Sequence, residues 1–162
     1  MRKKEPRGSF FHSGFSFTEL VAVLLILGIL SVFAVSRMST GFAATRAFHD
    51  QLLSQVQFAR KAAVAQGRGV FVRIDATQSR LCYSAAGACS GADAVAAPSG
   101  EAPFRVAVPS GVTATAVTFQ FDALGRYRTA AGGATSAPLV LTVAGDGVLQ
   151  FTVEHETGYV RP

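Results

Sequence analysis

The sequence predicts an α+β chain in which a long N-terminal helix precedes a set of short antiparallel strands. Three observations predict it. Sixteen consecutive uncharged residues run from Leu20 to Val35, a length that suits a helix and not a strand. Further on, Phe48, Leu52, Val56, Ala59 and Ala63 recur at helical spacing. After Gly67 the apolar residues come in short segments separated by turn residues, in a chain of 16 glycines and only 15% charged residues.

The first 14 residues, 1–14, form a basic leader with Arg2, Lys3, Lys4 and Arg7 against Glu5. Positive charge of this kind stays on the cytoplasmic side, so the rest of the chain is expected to cross outward. Residues 15–36 then supply 22 residues of apolar character, about 33 Å as a helix and enough to span a bilayer. Glu19 sits at the threshold of this segment, where an unpaired carboxylate costs roughly a few kcal/mol in lipid. Something must satisfy it, and a cationic group on a neighbouring copy or relative is the best candidate. Two plainer readings compete: a cleaved secretory signal with Ala34-Val35-Ser36 as the small-residue site, and a simple single-span anchor. The first places Glu19 badly within an apolar signal core, and the second accounts for length but not for Gly14 or Glu19.

Residues 37–67 read as an amphipathic continuation of the helix, loosened near Ser39-Thr40-Gly41. The apolar stripe lies on one face, with Arg46, Asp50, Gln57, Arg60 and Lys61 on the others. Gly67 is the expected stop. Residues 68–162 follow as a β-rich head. Val70 to Ile74 and Arg80 to Tyr83 predict a hairpin across residues 75–79, and Ala85 to Pro103 a long surface loop. Further strands are expected at Phe104 to Val108, Val117 to Phe121, Leu139 to Val143, Val148 to Val153 and Tyr159 to Arg161. Leu139, Leu141 and Val143 share one face, as do Leu149, Phe151 and Val153, and residues 144–147 form the turn between their strands.

Cys82 and Cys89 are the only cysteines, with six residues between them. An even count in an outward, oxidising compartment predicts a disulfide closing a small loop, with two free thiols as the alternative. Without a nearby His or Cys cluster they do not make a zinc site. The formal charge of +5 is largely the leader's; the remainder carries +2, so the pI near 9.8 does not by itself point to nucleic acid. Catalysis finds no foothold. His12, His49 and His155 are scattered, Asp50 beside His49 is expected to point elsewhere on the helix, and no phosphate loop or nucleophile motif is present. Nothing calls for a metal, a cofactor or a small-molecule substrate. Gly125-Arg126-Tyr127-Arg128 is the sharper feature. Two guanidiniums flanking an aromatic can grip phosphates and stack on a base, while the plainer reading is a turn glycine followed by solvated arginines at a strand start.

Gly14, then Phe15, then Glu19 resembles the type III signal of the type IV pilin superfamily. The resemblance implies that a prepilin peptidase cuts after Gly14 and methylates Phe15. It further implies that Glu19, fifth in the mature chain, meets the terminal amine of an adjacent subunit during assembly. Within that family many members carry a proline where this chain has Ser36, so no proline kink is expected. Phe48 to Leu52, Gln57 to Val64, Phe121 to Arg126 and Thr157 to Val160 resemble minor pilins and pseudopilins of the GspH/FimT type. The segment from Phe48 to Val64 is also similar to minor pilins of mannose-sensitive haemagglutinin pili. The implied fold is pilin-like, with other pilins or pseudopilins as partners, in a type IV pilus or a type II secretion pseudopilus. The implied location is the inner membrane, single-pass, with the C-terminal domain in the periplasm. FimT-type pilins that take up DNA carry a Gly-Arg-x-Arg motif, which Gly125 to Arg128 matches, so the resemblance adds DNA as a candidate partner.

Overall fold

The computed structural model describes residues 16–35 and 40–162. The chain divides into two compact units, Met1–Met38 and Ser39–Pro162. In the first, α1 spans Phe17–Val35. From Phe17 to Ile29 its residues are all exposed, on every face. A helix that is apolar all round is stable in water only when lipid or neighbouring helices cover it. Counted over the described residues, no helix is long and apolar enough to cross a membrane. Both ends of the span expected at 15–36, Phe15 and Ser36, lie outside the described residues.

The second unit is built on α2, Thr40–Gln66. Phe48, Leu52, Val56, Ala59 and Ala63 are all buried, so the stripe forms as its spacing predicts. The helix ends at Gly67, whose φ of +62° lets its own amide reach the Val64 carbonyl and the Arg68 amide reach the Ala63 carbonyl. That paired closure satisfies two carbonyls that the helix end would leave open.

Nine strands follow: β1 Val70–Ile74, β2 Gln78–Cys82, β3 Arg105–Ala107, β4 Thr113–Ala114, β5 Val117–Phe121, β6 Tyr127–Thr129, β7 Leu139–Ala144, β8 Val148–Val153 and β9 Val160–Arg161. They form two antiparallel sheets, ordered β3-β2-β1-β5-β6 and β4-β7-β8-β9. Register places Val70 opposite Phe121 and Val72 opposite Phe119, so one face of the larger sheet is a continuous apolar surface. That face, together with Leu141, Val143, Phe151 and Val153 of the smaller sheet, packs with the α2 stripe into one core. The fold is α+β, a helix packed on antiparallel sheets.

Three details differ from expectation. The first hairpin returns at Gln78, not Arg80. The Asp75 carboxylate accepts the Thr77 and Gln78 amides and the Thr77 hydroxyl, which tightens the turn. The segment expected as a surface loop at 85–103 is partly core: Val95 is buried, its amide bonds the Leu81 carbonyl, and its carbonyl accepts the Phe104 amide. This happens because β3 pairs only with the first part of β2, through Gln78 to Arg80, and residues 93–95 cover the rest of that edge. Finally, the two short strands β4 and β6 extend the sheets beyond the strands that alternation alone predicts.

Candidate functional site

Of the residues singled out in the sequence, Gly14 and Phe15 lie outside the described residues. Glu19 stands in the first turn of α1, exposed, where a carboxylate suits the positive end of a helix dipole. Among the described residues it forms no ion pair. Cys82 and Cys89 form a disulfide with a Cα–Cα distance of 5.3 Å, and both are buried. The loop between them is pinned to the sheet where Arg73 Nη1 donates to the Gly87 carbonyl at 2.8 Å.

Gly125 to Arg128 occupy the turn between β5 and β6 and the start of β6. The Asp122 carboxylate organises that turn, its Oδ1 accepting the Leu124 and Arg126 amides at 3.0 and 2.9 Å. Its Oδ2 accepts Nε of both arginines, from Arg126 at 2.9 Å and Arg128 at 3.1 Å. Burial pushes this carboxyl up, but hydrogen bonds from the Arg126 amide, the Arg128 and Arg126 guanidiniums and the Leu124 amide outweigh it. Asp122 is therefore held below the usual carboxylate range. Tyr127 faces the other way. It is only 9% exposed, its ring lies edge-on to Phe119 at 5.6 Å, and burial raises its pKa. Its ring is a core side chain and not an exposed stacking platform.

The arginines line an open cleft of about 560 Å³ together with Thr135, Ser136, His155 and Glu156. Two polar atoms, Thr135 Oγ1 and His155 Nδ1, are buried there without a hydrogen-bond partner among the described residues. His155 Nε2 approaches Glu156 Oε1 at 3.8 Å, a long contact for an ion pair. Behind the cleft, three segments are locked together. Gly125 has φ of +77° and Gly158 φ of +61°, and a Cβ on Gly158 would collide with the Gly125 carbonyl oxygen. Arg60 Nε on α2 donates to that same carbonyl at 3.4 Å and to the Thr157 carbonyl at 3.1 Å. The helix, the β5–β6 turn and the segment before β9 thus meet at Arg60.

No family model and no curated protein matches the chain. Two solved structures resemble it. Both are of the type IV minor pilin FimU of Pseudomonas aeruginosa strain PAO1, in space groups P65 and P21. Each is 17% identical over 72% of this chain, covering 90% and 85% of those chains, with TM-scores of 0.48 and 0.49.

Three features escape sequence reasoning. Arg60 belongs by spacing to a polar helix face, but its carbonyl partners lie 65 and 97 residues further along the chain. His49 and Asp50, expected to point apart, meet: His49 Nδ1 lies 3.0 Å from Asp50 Oδ1. The imidazole is nonetheless a packing group, buried with its ring edge-on to Phe151 at 5.5 Å. Thr135 carries no signal in the sequence and His155 reads there only as a scattered histidine, because only the fold brings them beside the arginines. Among the described residues no group of three or more His, Cys, Asp or Glu side chains is placed to hold a metal ion.

Proposed function

We propose that this chain is a minor pilin or pseudopilin subunit, the partner of an assembly and the substrate of a processing enzyme. One observation carries the reading. A single carboxylate, Glu19, opens an otherwise uncharged helix whose side chains from Phe17 to Ile29 are exposed on every face, just after a basic leader that ends at Gly14 and is followed by Phe15. Neither lipid nor a helix bundle tolerates that carboxylate alone, and a terminal amine on a neighbouring copy satisfies it at the position where it occurs. A prepilin peptidase cuts after Gly14 and methylates Phe15. The processed chain resides in the inner membrane with its β-rich head in the periplasm. It then joins other pilins or pseudopilins in a type IV pilus or a type II secretion pseudopilus, where α1 packs with neighbouring helices.

Intact mass spectrometry of the protein from its native membrane tests this first. A chain beginning at methylated Phe15 is expected. A start near Arg37 would mean an ordinary secreted domain, and an uncut Met1 in cells holding the peptidase would leave a plain anchor. Glu19→Ala should leave membrane insertion intact and reduce filament incorporation; normal incorporation would remove Glu19 from the mechanism.

A second reading, DNA capture through Gly125 to Arg128, is supported by the two guanidiniums lining one cleft. It rests on Arg126 and Arg128 alone, since Tyr127 is packed in the core. A salt-dependent DNA shift lost in the Arg126→Ala, Arg128→Ala double variant is its expected signature. Binding that survives the double change, or no binding at low salt, sinks it.

A further inference from the structure

We infer that the cleft beside β6 is a receptor for a single carboxylate presented by a peptide segment, such as an acidic side chain on a neighbouring subunit or on cargo. The inference goes beyond the filament reading and does not depend on it, because every residue involved lies in the second unit.

Charge decides the class of ligand. Arg126 and Arg128 contribute two positive charges, and Asp122, which binds Nε of both, removes one. Glu156 stands on the rim with its side chain 83% exposed. The inner part of the cleft is thus left with one uncompensated positive charge behind a negative rim. A nucleic-acid strand presents one phosphate after another and needs a track of cations with exposed aromatic faces to stack on. Here the neighbouring position holds a carboxylate, and the aromatic of the motif, Tyr127, is in the core. One isolated anion fits this balance and a polyanion does not.

Geometry supports the same ligand. With Nε of each arginine committed to Asp122, no hydrogen bond among the described residues engages the Nη atoms of either. A guanidinium held at Nε by one carboxylate keeps the planar pair of Nη donors that a second carboxylate recognises. Thr135, Ser136 and His155 supply the other polar side chains of the wall, and Thr135 Oγ1 and His155 Nδ1 are buried without a partner among the described residues. Both atoms are screened from solvent, so a ligand reaches them only where the Thr135 or His155 side chain turns outward, and one that offers donors and acceptors then satisfies them. The peptide groups flanking an acidic side chain carry both kinds. At about 560 Å³ the cleft lies within the usual range of ligand sites, about 300–1,000 Å³.

The test uses the full chain in detergent micelles, titrated with three probes and followed by NMR of the Thr135, His155 and Arg128 signals. The probes are a blocked Gly-Glu-Gly tripeptide, its Gly-Gln-Gly twin and a short oligothymidylate. The glutamyl peptide should saturate and shift those signals. The glutaminyl twin should bind about tenfold more weakly, the effect of losing a charge-assisted hydrogen bond. Arg126→Gln should weaken the glutamyl peptide by a similar factor, about tenfold. Glu156→Gln touches only an exposed rim side chain and should strengthen binding about twofold to fivefold by removing a like charge. Equal binding of the two peptides, no saturable binding of the glutamyl peptide, or no gain from Glu156→Gln would each overturn the inference. Saturation by oligothymidylate in preference to the glutamyl peptide would overturn it in favour of nucleic acid. None of these outcomes bears on where the mature chain begins, so failure here is separable from failure of the filament reading.

Discussion

Replacing Gly158 by alanine should be among the most damaging single-methyl changes in the head. Two costs add. Gly158 has φ of +61°, a backbone conformation that costs an L-residue with a Cβ about 1–2 kcal/mol. The new methyl would also drive into the Gly125 carbonyl oxygen. That carbonyl cannot retreat cheaply, because Gly125 is itself in the left-handed region and a Cβ there would already lie 2.8 Å from Val64 Cγ2. Overpacking of this kind costs about 1–3 kcal/mol. The expected total is about 2–5 kcal/mol, or about 6–20 °C in Tm for a unit of this size. Urea unfolding of the full chain in micelles measures it, followed by tyrosine fluorescence. There is no tryptophan, and Tyr83, Tyr127 and Tyr159 all lie in the head, so the signal is free of any contribution from α1.

The control is Gly100, with φ of +88° and nothing within 4 Å of where a Cβ would stand. Gly100→Ala carries the backbone cost alone, about 1–2 kcal/mol. Asparagine separates the two effects further, because it tolerates the left-handed region but still has a Cβ. Gly100→Asn should be nearly neutral, whereas Gly158→Asn should remain as damaging as Gly158→Ala. If Gly158→Ala costs no more than Gly100→Ala, the contact between the two loops is not holding the head together, and the reasoning fails.

Three further outcomes are expected. Asp75, with its side chain 39% exposed, has its pKa lowered to about 2 because hydrogen bonds from Thr77 and Gln78 and the Arg80 charge outweigh its burial. A depressed carboxyl stabilises the fold above its unfolded pKa of about 4 and loses that contribution as pH falls towards 2. After discounting for solvent exposure, Asp75→Asn should cost about 1 kcal/mol at pH 7 and almost nothing near pH 2, read from urea midpoints across that window. Replacing both Cys82 and Cys89 by serine should cost about 2–3 kcal/mol, the chain-entropy value for so short a loop. The head should stay folded, since residues 93–95 remain bonded to the β2 edge, and NMR of the Val95 amide would report it. Arg60→Met keeps the aliphatic stem but removes the donor shared by the Gly125 and Thr157 carbonyls. A loss of about 1–3 kcal/mol is expected in the same urea assay, with faster amide exchange at Gly158.

What is legible in the sequence depends on whether partners are near in the chain. The α2 stripe and its Gly67 stop are legible because helix periodicity and end closure involve residues within five positions of one another. The β7–β8 pair is legible because a large apolar residue recurs at every second position of each strand, despite the outward-facing Val140 and Val148, and a short turn fixes the register. Val95 is not, because one apolar residue among Ala, Gly and Ser has no periodicity; what buries it is the edge of β2 that β3 leaves open. For β6, three residues long, Tyr127 turns inward and Arg128 outward only because β5 is there to set its face. The cleft combines residues from three separated segments, two of them uncharged or weakly patterned. Its arginines stand out in the sequence, but its buried orphan atoms do not.

The same contrast decides how much weight the Gly-Arg-x-Arg pattern bears. Its glycine has a sufficient reason in the fold. Gly125 closes the Asp122 turn in the left-handed region, a Cβ on it would crowd Val64, and its carbonyl lies against Gly158 and accepts Arg60. Its tyrosine has one too, as an edge-on neighbour of Phe119. The two arginines flank the inward-turned Tyr127, Arg126 at the end of the turn and Arg128 on β6, and both reach the same Asp122 oxygen. Turn, core and pleat therefore account for the pattern without any ligand, and a match to it carries little weight for DNA. What they leave unexplained is the outward side of the arginine pair and the two unpartnered atoms buried in the same cleft wall. The ligand of this head is to be sought there, and its charge should be that of one carboxylate.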